Sequence, residues 1–474
     1  MSAPAPALAE TEDPDGHAAP PLRPAEDLTW IHRPTRELVR LAWPITVSTL
    51  SFVSMSLVST ALVATLGAPA LAGVGLAGVV AFAMVCFGLG LLRGAKSLVA
   101  QALGAGRHDR LAELLAGALV LAGVLGTGSM VLGEALAPLV ARACGSIEAG
   151  VAAEAYFRLR IATAPLLLAQ TALREASYGR GETRAPMRAA LAGNLTNVAI
   201  AAPAILWLGG GVVVAGLATI AGNLVELLVL AWPARAQLRR LPWRRAQVAA
   251  VWREGVPNGL QFTMEVGAFL ILTTLIARMS AAEAGAHQLV MGLVNVSFLP
   301  AHALAEATSV LVGQAVGAGR TEQVVRLAGR ALGLGALYAA ACSLLYAVIG
   351  GQVVGALAGG DHALAQASTT LLHVSLVFLV ADAANVIARG ALRGASDVRY
   401  AAWVGIVTSW LTTPPLAWLL GFHFGLGAAG GWLGLAAEII VGAALFWRRV
   451  VRGGWRPSAV AARARAAAGA SASC

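Results

Sequence analysis

Apolar residues in this chain come in long, nearly uninterrupted runs separated by short polar stretches. Twelve runs fall near residues 41–62, 71–92, 112–134, 155–177, 187–208, 211–232, 256–278, 286–308, 328–350, 364–387, 402–421 and 426–447. Each is close to the roughly 20 residues a helix needs to cross the hydrocarbon core of a bilayer. The pattern therefore predicts an all-α, polytopic membrane protein with twelve transmembrane helices. The fourth run carries Arg158 and Arg160 near its start, and the eleventh contains Pro414 and Pro415. Prolines inside such helices are tolerated when neighbouring groups satisfy the freed carbonyls. The 54 glycines suit close packing between membrane helices.

Composition and charge sharpen this picture. Hydrophobic residues make up 58% of the chain and charged residues 12%, about half the roughly 25% that a soluble protein carries. A soluble enzyme is excluded on that ground. The net charge of +10 sits in short loops between the runs, so it does not mark a nucleic-acid partner. Of the 34 Lys and Arg residues, 30 fall at the two ends and in every second loop; only Arg142, Arg158, Arg160 and Arg278 lie on the other side. Positive residues resist translocation, so both ends are expected in the cytoplasm. Residues 1–36 are rich in proline and acids and read as a disordered cytoplasmic tail with no signal peptide. Residues 37–234 and 256–447 form two helical lobes, 235–255 a basic cytoplasmic linker, and 448–474 a basic cytoplasmic tail. The cysteines, at 86, 144, 342 and 474, form neither a disulfide framework nor a metal-ligand spacing. GxxxxGK[ST], HExxH and GxSxG motifs are absent, which argues against ATP-driven pumping and against hydrolase chemistry.

The chain repeats itself. Residues 98–107 read LVAQALGAGR and residues 311–320 read LVGQAVGAGR, an offset of 213 that also relates Pro44 to Pro257. Arg174, Gly179, Glu182 and Arg184 match Arg389, Gly394, Asp397 and Arg399 at an offset of 215. Each half holds six spans, so both halves enter and leave on one face and are related by a pseudo-twofold axis along the membrane normal. That arrangement predicts a cavity between lobes and alternating access by rocking. The repeated blocks mark Gln101, Gly104, Gly106, Arg107, Gln314, Gly317, Gly319 and Arg320, with Arg393 and Asp397 after the tenth span, as candidate structural or gating positions.

Acids inside spans are costly, about 2.5–3.5 kcal/mol at the centre on insertion scales, and are functional candidates by default. Glu265 lies well inside the seventh span and Asp382 inside the tenth. Phe378, Asn385 and Arg389 share a helical face with Asp382. If that face meets Glu265, the two acids form a site for a proton or for Na⁺. Gln288, Asn295, Phe378 and Asn385 are candidate pathway residues. His302 and Glu306 are expected to snorkel near the end of the eighth span, Glu226 and Glu438 to be structural, and His373 to be an interior histidine.

These residues carry a resemblance. LAWP in the first span, LVAQALGAGR, AGAHQ opening the eighth span, LVGQAVGAGR and RGALRGASD after the tenth resemble the multidrug and toxic compound extrusion (MATE) family over roughly residues 37–447. The resemblance implies twelve helices in two lobes and export of amphipathic, often cationic, compounds in exchange for Na⁺ or H⁺. MEVGAF and ADAANVIARG look like the NorM-type branch, which implies cation coupling at Glu265 and Asp382 with no resident cofactor. The branch often has an aromatic where Phe378 falls, and Gln288 matches a polar residue implicated in substrate or cation contact. The family's first-span aspartate is Ser59 here, and its fifth-span polar position falls at Ala201, so coupling is expected in the second lobe. The expected partners are the lipid bilayer and small amphipathic compounds, with no nucleic acid, and the expected state is a monomer in a bacterial cytoplasmic membrane. A flippase for lipid-linked oligosaccharides, a membrane-embedded enzyme and a passive channel are the rival readings.

Overall fold

The computed structural model describes residues 29–238, Pro242 and residues 244–467. No strand occurs among them. The helices are α1 (Pro34–Ala64), α2 (Ala68–Gly104), α3 (Asp109–Arg142), α4 (Ile147–Ala162), α5 (Ala164–Gly179), α6 (Arg184–Leu206) and α7 (Val212–Leu238) in the first half. The second half holds α8 (Arg245–Ala277), α9 (Ala281–Gly317), α10 (Gln323–Leu357), α11 (His362–Gly394), α12 (Val398–Trp418), α13 (Gly427–Val451) and α14 (Arg456–Ala467). Ten of the fourteen are long and apolar enough to cross a membrane. Twelve spans result when the consecutive helices α4 and α5 count as one and α12 is added, arranged as two six-span lobes.

The two spans that read least cleanly are the two that depart from a regular helix. The fourth breaks at Thr163, whose hydroxyl donates to the carbonyl of Arg160 (2.6 Å) ahead of Pro165. The eleventh holds Pro414 and Pro415 and passes into a π-helical turn, Leu419–His423, consistent with carbonyls that proline leaves unpaired. Large apolar side chains such as Leu195, Leu337, Val348 and Leu411 are exposed on the outside, where lipid is their only compatible solvent.

Several helices run past the apolar runs into the basic segments. The linker expected over 235–255 is largely helical, being taken up by the end of α7 and the start of α8; residues 239–241 and Trp243 lie outside the described residues. The tail expected over 1–36 lies outside them through residue 28. Beyond it, Thr29–Ile31 form a 3₁₀ turn that buries Trp30 against the core. Residues 448–467 do not hang free. α13 continues to Val451, and α14 packs on α2 and α9 with Trp455, Ala459, Ala462 and Ala466 buried. Those alanines recur every three or four residues and form one face, a pattern that arginine-rich composition hides.

The lobes meet along a seam near the face that carries both described ends, here called the basic face. Its contacts are backbone to backbone, which only glycine permits at such range. A methyl group on Gly104 would collide with the carbonyl of Gln314, and one on Gly317 with that of Gln101. Gly94 and Gly255 face each other in the same way, the methyl position on Gly94 lying 2.9 Å from Gly255 Cα. Gln101 Nε2 crosses the seam to donate to the carbonyl of Gly394 (2.9 Å) and to Ser396 Oγ (2.8 Å).

Candidate functional site

Above the seam the lobes part around a cavity of about 790 Å³. It reaches Leu62 and Leu71 at the far ends of α1 and α2, and Ile205 and Ala215 at the far ends of α6 and α7. The first lobe contributes Ser56, Ser59, Thr60, Thr219 and Arg160 but no acid; the second contributes Glu265, Asp382 and Glu438 with Arg389. Phe52, Phe82, Phe262, Phe269, Phe298 and Phe378 add apolar wall.

Glu265 and Asp382 line this one cavity, but Glu265 is already engaged. Arg389 Nη1 donates to both of its carboxylate oxygens, at 2.8 and 3.1 Å. Gln261 Nε2 adds a third bond to Oε1 at 2.9 Å. Arg389 is held in turn by Asn385, whose Oδ1 accepts from Nη2 at 2.9 Å, and it lies over the ring of Phe446, 5.2 Å from the centroid. Asn385 is fixed by donating to the carbonyl of Ile439 at 3.0 Å. Asp382 lines the cavity two helical turns before Arg389. Na⁺ at Glu265 would have to displace a guanidinium from its carboxylate oxygens. Among the described residues no group of three or more His, Cys, Asp or Glu is placed to hold a metal ion.

The other predicted residues divide. Asn295, Phe378 and Asn385 line the cavity, whereas Gln288 is exposed and does not. Its neighbour His287 points inward instead, between Thr273 (3.2 Å) and the indole of Trp432 (3.0 Å); adjacent residues on a helix lie about 100° apart. Gln101, Gly104, Gln314 and Gly317 form the seam. Gly106 and Gly319 end it with φ of 70° and 75°, a backbone region that side chains disfavour. Arg107 donates to Asp109 and to the carbonyl of Ala467, and Asp397 accepts from Arg449 and Ser458. Arg320 is half-buried just past the seam. Arg393 lies on α11 rather than in a loop and donates to Gln261 Oε1 at 3.3 Å, the amide that itself donates to Glu265.

Four sequence expectations need correction. Glu438 is a cavity acid, held by the hydroxyl of Thr413. Glu306 is no snorkelling end residue, because α9 runs eleven residues past it; it pairs with Lys96 of the other lobe, beside Glu175 (3.4 Å) and His302. His302 belongs to that cluster too. His373 is exposed rather than interior. Depth alone could not reveal these partners. The one available signal was that Lys96 is the chain's only lysine and that its helix had to contain it.

Comparison with known proteins fits this architecture. A family model, MatE, matches residues 44–202 and again residues 257–419. The chain belongs to the MatE family. The two matches begin 213 residues apart, the offset of the internal repeat. A probable multidrug resistance protein NorM of Deinococcus radiodurans is 32% identical over 440 residues, covering 88% of this MatE chain and 95% of the relative. One of the same name from Rhodopseudomonas palustris is 30% identical over 459 residues, covering 91% and 94%. Two solved structures share the fold. The outward-facing conformation of a multidrug resistance MATE family transporter has a TM-score of 0.82 at 21% identity, over 90% of this chain and 97% of that one. The eukaryotic MATE transporter AtDTX14 has a TM-score of 0.83 at 18% identity, over 92% and 99%. This MatE chain is thus a multi-pass membrane transporter of two six-span lobes.

Proposed function

We propose that the protein exports amphipathic, often cationic, compounds across the cytoplasmic membrane in exchange for inward-moving Na⁺ or H⁺, as a monomer with both ends in the cytoplasm. The observation that carries this reading is the cavity: about 790 Å³, aromatic on several sides, with three acids against two arginines. That volume suits a drug-sized ligand, and aromatic faces with nearby carboxylates attract lipophilic cations. The naming of relatives as multidrug resistance proteins agrees with it. The glycine seam on the basic face and the cavity reaching the opposite face support an outward-facing state of an alternating-access cycle.

The acids outnumber the arginines, which favours cationic cargo over the anionic phosphates of lipid-linked sugars. The test is drug resistance in a sensitive bacterial host. Asp382→Asn and Glu265→Gln are each expected to abolish resistance while the protein still inserts in the membrane. Resistance at the wild-type level from both variants would refute the reading.

A further inference from the structure

Arg389 occupies the site that ion coupling requires, and the internal repeat shows where else it can go. Its counterpart in the first lobe is Arg174, at the 215-residue offset. Arg174 lies 4.0 Å from Glu226 on α7. Glu226 corresponds in turn to Glu438 on α13, 212 residues on. The first lobe therefore displays the pairing of this arginine with the acid of its last helix, α7. In the second lobe the same arginine is found on Glu265 instead, while Glu438 lines the same cavity and is held only by the hydroxyl of Thr413. Arg389 has two candidate acids and one guanidinium. Its Nε is buried without a partner, so its present contacts do not exhaust it.

We propose that Arg389 is a tethered cation that toggles between Glu265 and Glu438, so that Glu265 exchanges the guanidinium for a proton rather than for Na⁺. This rests on the exporter reading above and names its coupling ion. A guanidinium does not lose its charge at physiological pH. It leaves Glu265 only when that carboxylate is neutralised or when another cation takes its place. A lone Na⁺ must shed water and break a charge-assisted contact in which Nη1 is shared by both oxygens of Glu265. A proton has no such requirement: it adds to one Glu265 oxygen, both Nη1 contacts weaken, and Arg389 moves to Glu438. The site then carries one more positive charge than before, which disfavours a bound cationic drug. The charged groups facing Glu265 are Arg389, Arg393 and Asp382 from α11, Glu438 from α13, and Arg93 from α2, which stacks 4.8 Å from the Phe262 centroid. From α12, Gly405 presents bare backbone beneath it.

The experiment has two arms on the full-length protein. In proteoliposomes, export of ethidium is driven by a pH gradient alone or by a Na⁺ gradient alone. In detergent, binding of radioactive Na⁺ is measured directly. Wild type is expected to respond to the pH gradient and to bind no Na⁺. Arg389→Gln is expected to gain Na⁺ affinity by roughly tenfold or more, the scale of one charged hydrogen-bonded contact removed, and to gain Na⁺-driven export. Adding Glu265→Gln should erase that gain. Arg389→Lys, which keeps the charge, should still exclude Na⁺ and serves if the glutamine variant fails to insert. Na⁺-driven export or Na⁺ binding by wild type would overturn the proposal, as would unchanged ion dependence in Arg389→Gln. If no variant moves dye under either gradient, the exporter reading fails on its own. The Na⁺-binding arm then still decides whether Arg389 guards Glu265.

Discussion

Lys96 gives the sharpest test of how the basic face is held shut. Lys96 is 1% exposed, and its ammonium sits between Glu306 of the second lobe and Glu175 of its own. These acids are 7% and 6% exposed, and His302 lies 3.7 Å from Glu306. Replacing Lys96 with Met keeps volume and removes the charge, leaving two buried carboxylates with no cation of that helix between them. Breaking a buried pair by removing one member costs about 3–5 kcal/mol. Part of that cost is specific to the closed seam, because opening it separates α2 from α9 and lets water reach Glu306. The variant should therefore shift toward a state open on the basic face.

The assay is alkylation of a cysteine at Ala100, which is fully buried in the seam against Gly313, in a background whose native cysteines are alanine. Lys96→Met should raise the labelling rate by about tenfold or more, since each 1.4 kcal/mol lost by the closed state is a factor of ten. Lys96→Met combined with Glu306→Gln should recover part of the loss, giving a coupling energy well above the roughly 0.5 kcal/mol expected of independent sites. Additive effects, or labelling at the wild-type rate, would show that this ion cluster does not hold the seam.

Two further outcomes follow from the same geometry. A methyl group on Gly405 would lie 2.7 Å from Glu265 Oε1 and collide with the amide of Gln261. Both are flexible side-chain ends, so Gly405→Ala should cost about 1 kcal/mol of stability at most, the low end for overpacking, yet lower export clearly; wild-type resistance would refute the placement of Glu265. Removing residues 453–474 deletes the buried Trp455 and the bonds from Arg107 and Arg110 of the first lobe to the carbonyls of α14. It should cost about 3 kcal/mol or more and speed alkylation at position 100. Thermal unfolding and labelling equal to the full chain would refute a strapping role.

Span number and the twofold repeat were legible because they rest on hydrophobic length and on motifs such as LVAQALGAGR, which need no knowledge of neighbours. Glu265 and Asp382 were legible for a related reason: an acid deep in an apolar run is conspicuous wherever it points. What lay beyond reach was pairing. Lys96 with Glu306 joins residues 210 apart, and Arg389 with Glu265 joins residues 124 apart; neither is implied by depth or face. The basic C-terminal stretch was misread because Arg-rich composition suggests solvation, whereas an alanine stripe at helical spacing is enough to seat a short helix against a glycine-lined seam. Gln288 was misread because a polar residue beside His287 looks equivalent in one dimension and is not on a helix.

The halves of this duplication diverge at one contact, and the divergence is what places the proposed coupling site in the second. Each half carries an arginine near the end of its fourth or fifth helix segment and an acid on its last, Arg174 with Glu226 and Arg389 with Glu438. In the first lobe the cavity wall carries no acid, and Phe52 stands at the repeat position of Glu265. Arg174 lies 4.0 Å from Glu226, and that acid is not part of the cavity wall. In the second lobe Glu265 adds a third member, and the inherited pair becomes a choice between two carboxylates. On the proposed mechanism, a charge that can rest in either of two places within one cavity would couple the occupancy of that cavity to the packing of α8, α11 and α13.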